Sequence, residues 1–107
     1  MSTVDELVAL SMWIDRHNQH RDPEANLWSR VTKASEEAAE AQAALRLYLG
    51  ENPRKAQSED PSDVIEELLD TAVAALGAVE HILDHDGVAL DLLAQKIRRV
   101  AARARQK

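Results

Sequence analysis

The chain has 107 residues, 45% of them hydrophobic and 30% charged, with no Phe, two Trp and one Tyr. That length makes one domain, with an Ala-, Leu-, Val- and Ile-based core small enough that partner chains help to complete it. The formal charge of −6 and the absence of cysteine argue against general nucleic-acid binding and exclude disulfides and thiolate metal sites, so any metal must use carboxylates or histidines.

Four amphipathic stretches give an all-α reading. Ser2 and Thr3 begin the first, with Thr3 and Glu6 at capping-box spacing, and Val4, Leu7, Val8, Leu10, Ser11 and Ile14 carry a helical stripe to about residue 20. Asp22 as N-cap and Pro23 at the first helical position open a second helix, over about 24–49, which Gly50 stops. Its stripe is Leu27, Val31, Ala34, Ala38, Ala41 and Leu45. Residues 51–60 are polar, contain Pro53 and lack periodicity, which predicts a mobile loop. Asp60-Pro61 repeats the cap-then-proline start for a third helix over about 61–84, striped by Val64, Ile65, Leu68, Ala72, Leu76, Val79 and Leu83. After His85-Asp86-Gly87 a fourth helix, about 88–105, carries Leu93, Ile97, Val100 and Ala104. No apolar run approaches the roughly 20 residues of a membrane span, and the start has no signal-peptide core, so the expectation is a cytoplasmic protein.

Two acidic clusters stand out against this background. With about 100° per residue, Glu36, Glu37 and Glu40 share one sector of the second helix, and Glu67 and Asp70 lie one turn apart on the third. Like charges at such spacings cost a helix a few tenths of a kcal/mol per pair. The simplest explanation is a pair of solvated faces. Against it, the acidic faces continue as Ala43, Ala44 and Leu47 on one helix and as Ala74, Gly77 and Ala78 on the other, and Thr71 to Val79 carries no charge. Such a stretch reads as buried all round, so the acids stand at the edge of a closed region. Lys33 alone cannot balance them. A hard divalent cation such as Mg²⁺ can, through oxygen ligands.

Glu36-Glu37-Ala38-Ala39-Glu40 followed by Glu67-Leu68-Leu69-Asp70, with Lys33 ahead, a polar loop between and a basic last helix, resembles the all-α nucleoside triphosphate pyrophosphohydrolases of the MazG type from about Trp28 to Arg99. The resemblance implies a four-helix, bundle-like protomer that forms a homodimer or homotetramer. It also implies Mg²⁺-dependent cleavage of a (d)NTP between the α and β phosphates, with Mn²⁺ able to substitute, as in house-cleaning of non-canonical or surplus nucleotides. Carried over by motif position, Glu37, Glu40, Glu67 and Asp70 would be metal ligands, and Glu36 would orient or deprotonate the attacking water. The Glu36 and Glu37 roles can be exchanged on this reading. Ala41, where a larger aliphatic is common, and Thr71-Ala72 after Asp70 depart from the family pattern and bear on pocket width.

Other residues offer sharper and blander readings. Trp28 is a candidate base-stacking residue, although Trp13, Trp28 and Tyr48 read first as core or interface anchors. Lys33, Arg54, Lys55, Lys96 and Arg99 are candidate phosphate-binding cations, while the basic end of the fourth helix also suits its own dipole. His81 and His85 form an i, i+4 pair on the same side as Asp70 and are candidate ligands, but they read first as exposed residues near a helix end, as do His17 and His20. A non-catalytic oligomerisation or regulatory module is the rival to the enzyme reading. A di-iron carboxylate bundle is disfavoured because no Glu-x-x-His occurs.

Overall fold

The computed structural model describes residues 1–51, 57 and 60–106. Among them are four helices and no strand: α1 (Thr3–His17), α2 (Pro23–Tyr48), α3 (Ser62–Ile82) and α4 (Ala89–Arg105). Arg54 and Lys55, and most of the expected loop, lie outside the described residues. None of the described helices is long and apolar enough to cross a membrane.

The helix ends follow local chemistry. At α1 the capping box is Ser2 with Asp5, one residue earlier than the expected Thr3–Glu6 pair. Ser2 has the extended backbone of a cap, its Oγ accepts from Asp5 N–H at 3.1 Å, and Asp5 Oδ2 accepts from Ser2 N–H at 3.3 Å. The helix stops at His17, three residues short of expectation, because Asn18 closes it and Arg21 N–H turns back onto Asn18 O. Asp22 caps α2 as expected, accepting from Ala25 N–H. Past Tyr48, Gly50 takes φ 73°, with Gly50 N–H on Leu47 O and Glu51 N–H on Arg46 O. That is the Schellman stop, which needs a left-handed residue. The end of α3 repeats it without glycine: Asp84 (φ 55°) and His85 (φ 62°) are both left-handed, and His85 N–H reaches Glu80 O at 2.7 Å.

Cross-helix pairs fix the topology. Arg30 meets Gly77 while Glu37 lies with Glu67 and Asp70, so α2 and α3 run antiparallel. Ser11 meets Gly77 and Asp15 meets His81, so α1 runs parallel to α3 on its other flank. α4 packs only lightly against α3. Its start is closed from α3: buried Glu80 accepts Gly87 N–H on Oε1 and Ala89 N–H on Oε2, both at 2.8 Å.

Burial overturns part of the sequence reading. The face of α3 turned towards α1 and α2 carries Asp70, Ala74 and Gly77, whereas Ile65 (52% exposed) and Leu68 (56% exposed), expected in the core, face outward. On α2, Leu27, Val31 and Leu45 are likewise exposed, as are Leu93, Ile97 and Val100 on α4. Thr71 to Val79 is therefore not closed all round in one protomer: Gly77 and Ala78 are buried, Val73 is not. Among the described residues the buried apolar side chains are Ala41, Ala78 and Ala89. The Cα radius of gyration is 16.7 Å, against about 13 Å for a compact domain of this length.

Candidate functional site

The α2–α3 pairing brings three of the predicted ligands together. A carboxylate oxygen from each of Glu37, Glu67 and Asp70 lies within 4.8 Å of the others. Glu37 is 13% exposed on its side chain, with Lys33 Nζ 3.2 Å away; Glu36, 64% exposed, is 3.7 Å from the same lysine and outside the trio. These ion pairs push the Lys33 ammonium pKa up, the Glu37 hydrogen bond contributing most. Glu40 is exposed at the edge of the cluster, close enough for its charge to act on Glu67.

Glu67 is the member under stress. Burial, followed by the charge of Glu40, a side-chain hydrogen bond with Glu40 and the charges of Asp70 and Glu37, pushes its pKa above the ordinary carboxylate value. Its Oε2 is shielded from solvent and has no hydrogen-bond donor among the described residues. A shielded carboxylate oxygen facing other carboxylates is what a cation removes from the free-energy balance. The donors are all oxygen, which fits Mg²⁺ or Mn²⁺ better than zinc or copper.

Glu37 and Asp70 stand on the wall of a cleft of about 390 Å³ between α1, α2 and α3. Leu10, Ile14, Val73 and Ala74 make its apolar lining, and Lys33, Ser29 and Arg30 its polar points. The volume lies at the lower end of the roughly 300–1,000 Å³ range for small-molecule sites. Arg30, 5% exposed, is part of the cleft wall and donates to Asp15 Oδ1 (2.7 Å), Ser11 Oγ (2.8 Å), Gly77 O (2.9 Å) and Ser11 O (3.2 Å). A Cβ on Gly77 would sit 3.1 Å from the guanidinium, so glycine lets the arginine lie directly on α3.

On the side of Arg30 away from the acids, the two histidines singled out in the sequence meet Asp15 and Ser11, partners that the sequence reading did not assign to them. Asp15 Oδ2 faces His81 Nδ1 at 2.7 Å and His85 Nε2 at 3.2 Å. His85 Nε2 is also 3.0 Å from the buried Ser11 Oγ. Burial raises the Asp15 carboxyl, but hydrogen bonds with His81, Asn26 and Arg30, and the charge of Arg30, outweigh it and hold the pKa below the ordinary value. The expectation that His81 and His85 are plain exposed residues fails. The left-handed turn at Asp84 and His85 brings the second ring back onto α1. The available signal was Ser11 and Asp15 one turn apart on α1, matching Gly77 and His81 one turn apart on α3. His17 and His20 are exposed, as expected.

The remaining candidates stay apart from the acidic trio. Trp28 is 69% exposed and lines no part of the cleft; Trp13, also exposed, stacks on His17, so neither tryptophan is a core anchor of the protomer. Lys96 and Arg99 are exposed on α4 and absent from the cleft wall. The chain matches no protein-family model, no curated protein and no solved structure.

Proposed function

We propose that the protein is a Mg²⁺-dependent nucleoside triphosphate pyrophosphohydrolase of MazG type, converting a (d)NTP and water to (d)NMP and pyrophosphate. The observation that carries this reading is the orphaned Glu67 Oε2 beside Glu37 and Asp70, the latter two standing on the wall of a cleft of about 390 Å³. Glu37, Glu67 and Asp70 hold the ion, with Glu40 beside them. Bound there, Mg²⁺ (or Mn²⁺) supplies neutralisation of phosphate oxygens and an acidified water. Lys33 lines the same cleft and draws phosphate oxygens towards the acidic trio. Glu36 keeps its carboxylate free of the trio and takes the role of orienting or deprotonating water. The apolar stretch of Leu10, Ile14 and Val73 shelters the remainder of the substrate from solvent.

In this reading copies of the chain associate as a dimer or tetramer, covering the aliphatic stripes that a single protomer leaves outside. The same stripes favour the second reading, a non-catalytic oligomerisation module. A pyrophosphate-release assay over canonical and modified nucleotides, with Mg²⁺ and with chelator, separates the two. The enzyme reading expects metal-dependent pyrophosphate that disappears in Asp70→Asn with helix content retained. Release of orthophosphate refutes the stated bond cleavage, and inertness across the panel with no Mg²⁺-dependent thermal shift favours the module.

A further inference from the structure

We propose that Asp15, His81 and His85 form a second metal site, for a zinc-class divalent transition ion, separate from the acidic trio. The three donor atoms come from α1, from the last turn of α3 and from the left-handed turn that follows it, the histidines lying 66 and 70 positions from Asp15 in sequence, and converge within 4.8 Å. Zinc ligands about 2.0–2.1 Å from the ion stand roughly 3.3 Å apart at tetrahedral angles. The observed 2.7 and 3.2 Å separations from Asp15 Oδ2 to the two ring nitrogens need only a slight opening to reach that spacing.

The donor set distinguishes this group from the trio. Two imidazoles and one carboxylate suit zinc and its neighbours, whereas an all-oxygen set suits Mg²⁺. The carboxylate is also held from behind. Arg30 and Asn26 both donate to Asp15 Oδ1, which leaves Oδ2 turned towards the rings. Hydrogen-bonded support of a ligating carboxylate is the usual companion of a metal site, and its loss commonly weakens binding by about 10–100-fold. The Asp15, His81 and His85 side chains are 22%, 19% and 19% exposed, shielded but reachable. An open depression of about 300 Å³ reaches Asp15 and His85 and includes Arg16. It offers an entry path and room for a water or anion as fourth ligand.

The test is calorimetric titration of the full chain with Zn²⁺ in the absence of nucleotide, paired with visible absorption of the Co²⁺ form. The expected result is a zinc-binding event weakened in His81→Ala and in His85→Gln by at least the roughly 10–100-fold that loss of a mere supporting partner costs, with the intense cobalt bands of a nitrogen-containing tetrahedral site lost in both. His85→Gln keeps a polar group near Ser11 and covers the case in which His81→Ala loosens α1 from α3. The event persists in Glu37→Gln, a variant that removes one ligand of the acidic trio. Zinc binding that survives both histidine substitutions, that disappears in Glu37→Gln, or that is absent altogether overturns the proposal and leaves the cluster as a hydrogen-bonded tie between helices. Hydrolysis is not read in this experiment, so its outcome is independent of the catalytic reading.

Discussion

Glu80 closes the helix that follows its own: its Oε2 accepts the N–H of Ala89, the first residue of α4, at 2.8 Å, while Oε1 takes Gly87 N–H. The α4 start has no capping side chain of its own, so a carboxylate 1% exposed does the work usually done by a Ser or Asp next in sequence. Negative charge at a helix N-terminus is favourable, and the two hydrogen bonds to the carboxylate offset its burial.

Glu80→Gln keeps the shape but turns an amide NH₂ towards one of the two N–H groups. The cost of leaving a buried donor unpaired is about 1–3 kcal/mol. The unfolding free energy from urea denaturation is expected to fall by that amount, moving the midpoint down by the loss divided by m, with amide exchange at Gly87 and Ala89 accelerated before the rest of α4. Unchanged exchange at those two amides would remove Glu80 from this role.

Gly77→Ala sets two effects against each other. Replacing a helical glycine gains up to about 1 kcal/mol in propensity. The added Cβ, however, would lie 3.1 Å from an Arg30 nitrogen whose guanidinium is pinned by four bonds, and overpacking a fixed site costs about 1–3 kcal/mol. The second effect wins, so the expected result is a net loss near 1 kcal/mol by chemical denaturation. A stabilised variant would mean that Arg30 yields easily.

Glu67 gives a pH dependence with a definite sign. Its carboxyl pKa is raised in the folded state by burial and by its acidic neighbours, so the folded chain holds that proton more tightly than the unfolded chain. Its contribution favours folding at low pH and is lost as pH rises above the ordinary value of about 4.3 through the raised one. In chelator, Glu67→Gln is expected to melt higher than the parent at neutral pH and to flatten this part of the profile. Added Mg²⁺ should raise the melting temperature of the parent alone. A parent insensitive to Mg²⁺ at neutral pH would count against cation binding at the trio.

Leu68 and Ile65 test what covers the outer face of α3. Both are more than half exposed in the protomer, and burying a Leu or Ile side chain is worth about 1.5–3 kcal/mol. Leu68→Lys is expected to lower the molar mass measured by light scattering at micromolar concentration while hardly disturbing contacts within one chain. A parent that runs as a monomer at all concentrations would leave these stripes without a partner copy.

The helices themselves were legible because their signals are local. Asp22-Pro23 at the start of α2 and Gly50 at its end act within a turn, and the structure bears out both. The meeting of Glu37 with Glu67 and Asp70 was also readable, since like charges repeated on two successive helices are costly unless shared. What escaped were relations among three elements. Nothing near Arg30 in sequence says that Ser11, Asp15 and Gly77 surround it, and a histidine at a helix end looks the same whether its ring meets water or a carboxylate. The apolar stripes were found, but periodicity gives the angle between faces and not which face turns inward. Here small and acidic residues pack between helices because Gly77 and Ala78 let the backbones approach, and the larger aliphatics are left outside.

Arg30 lies on the cleft wall and at the same time holds Asp15 in place behind the two imidazoles. Its four hydrogen bonds leave it little slack, so any displacement of the guanidinium must be taken from Asp15, Ser11 or Gly77. One buried guanidinium thus ties α1 to α3 and at the same time forms part of the cleft surface, so Arg30→Ala would loosen both together.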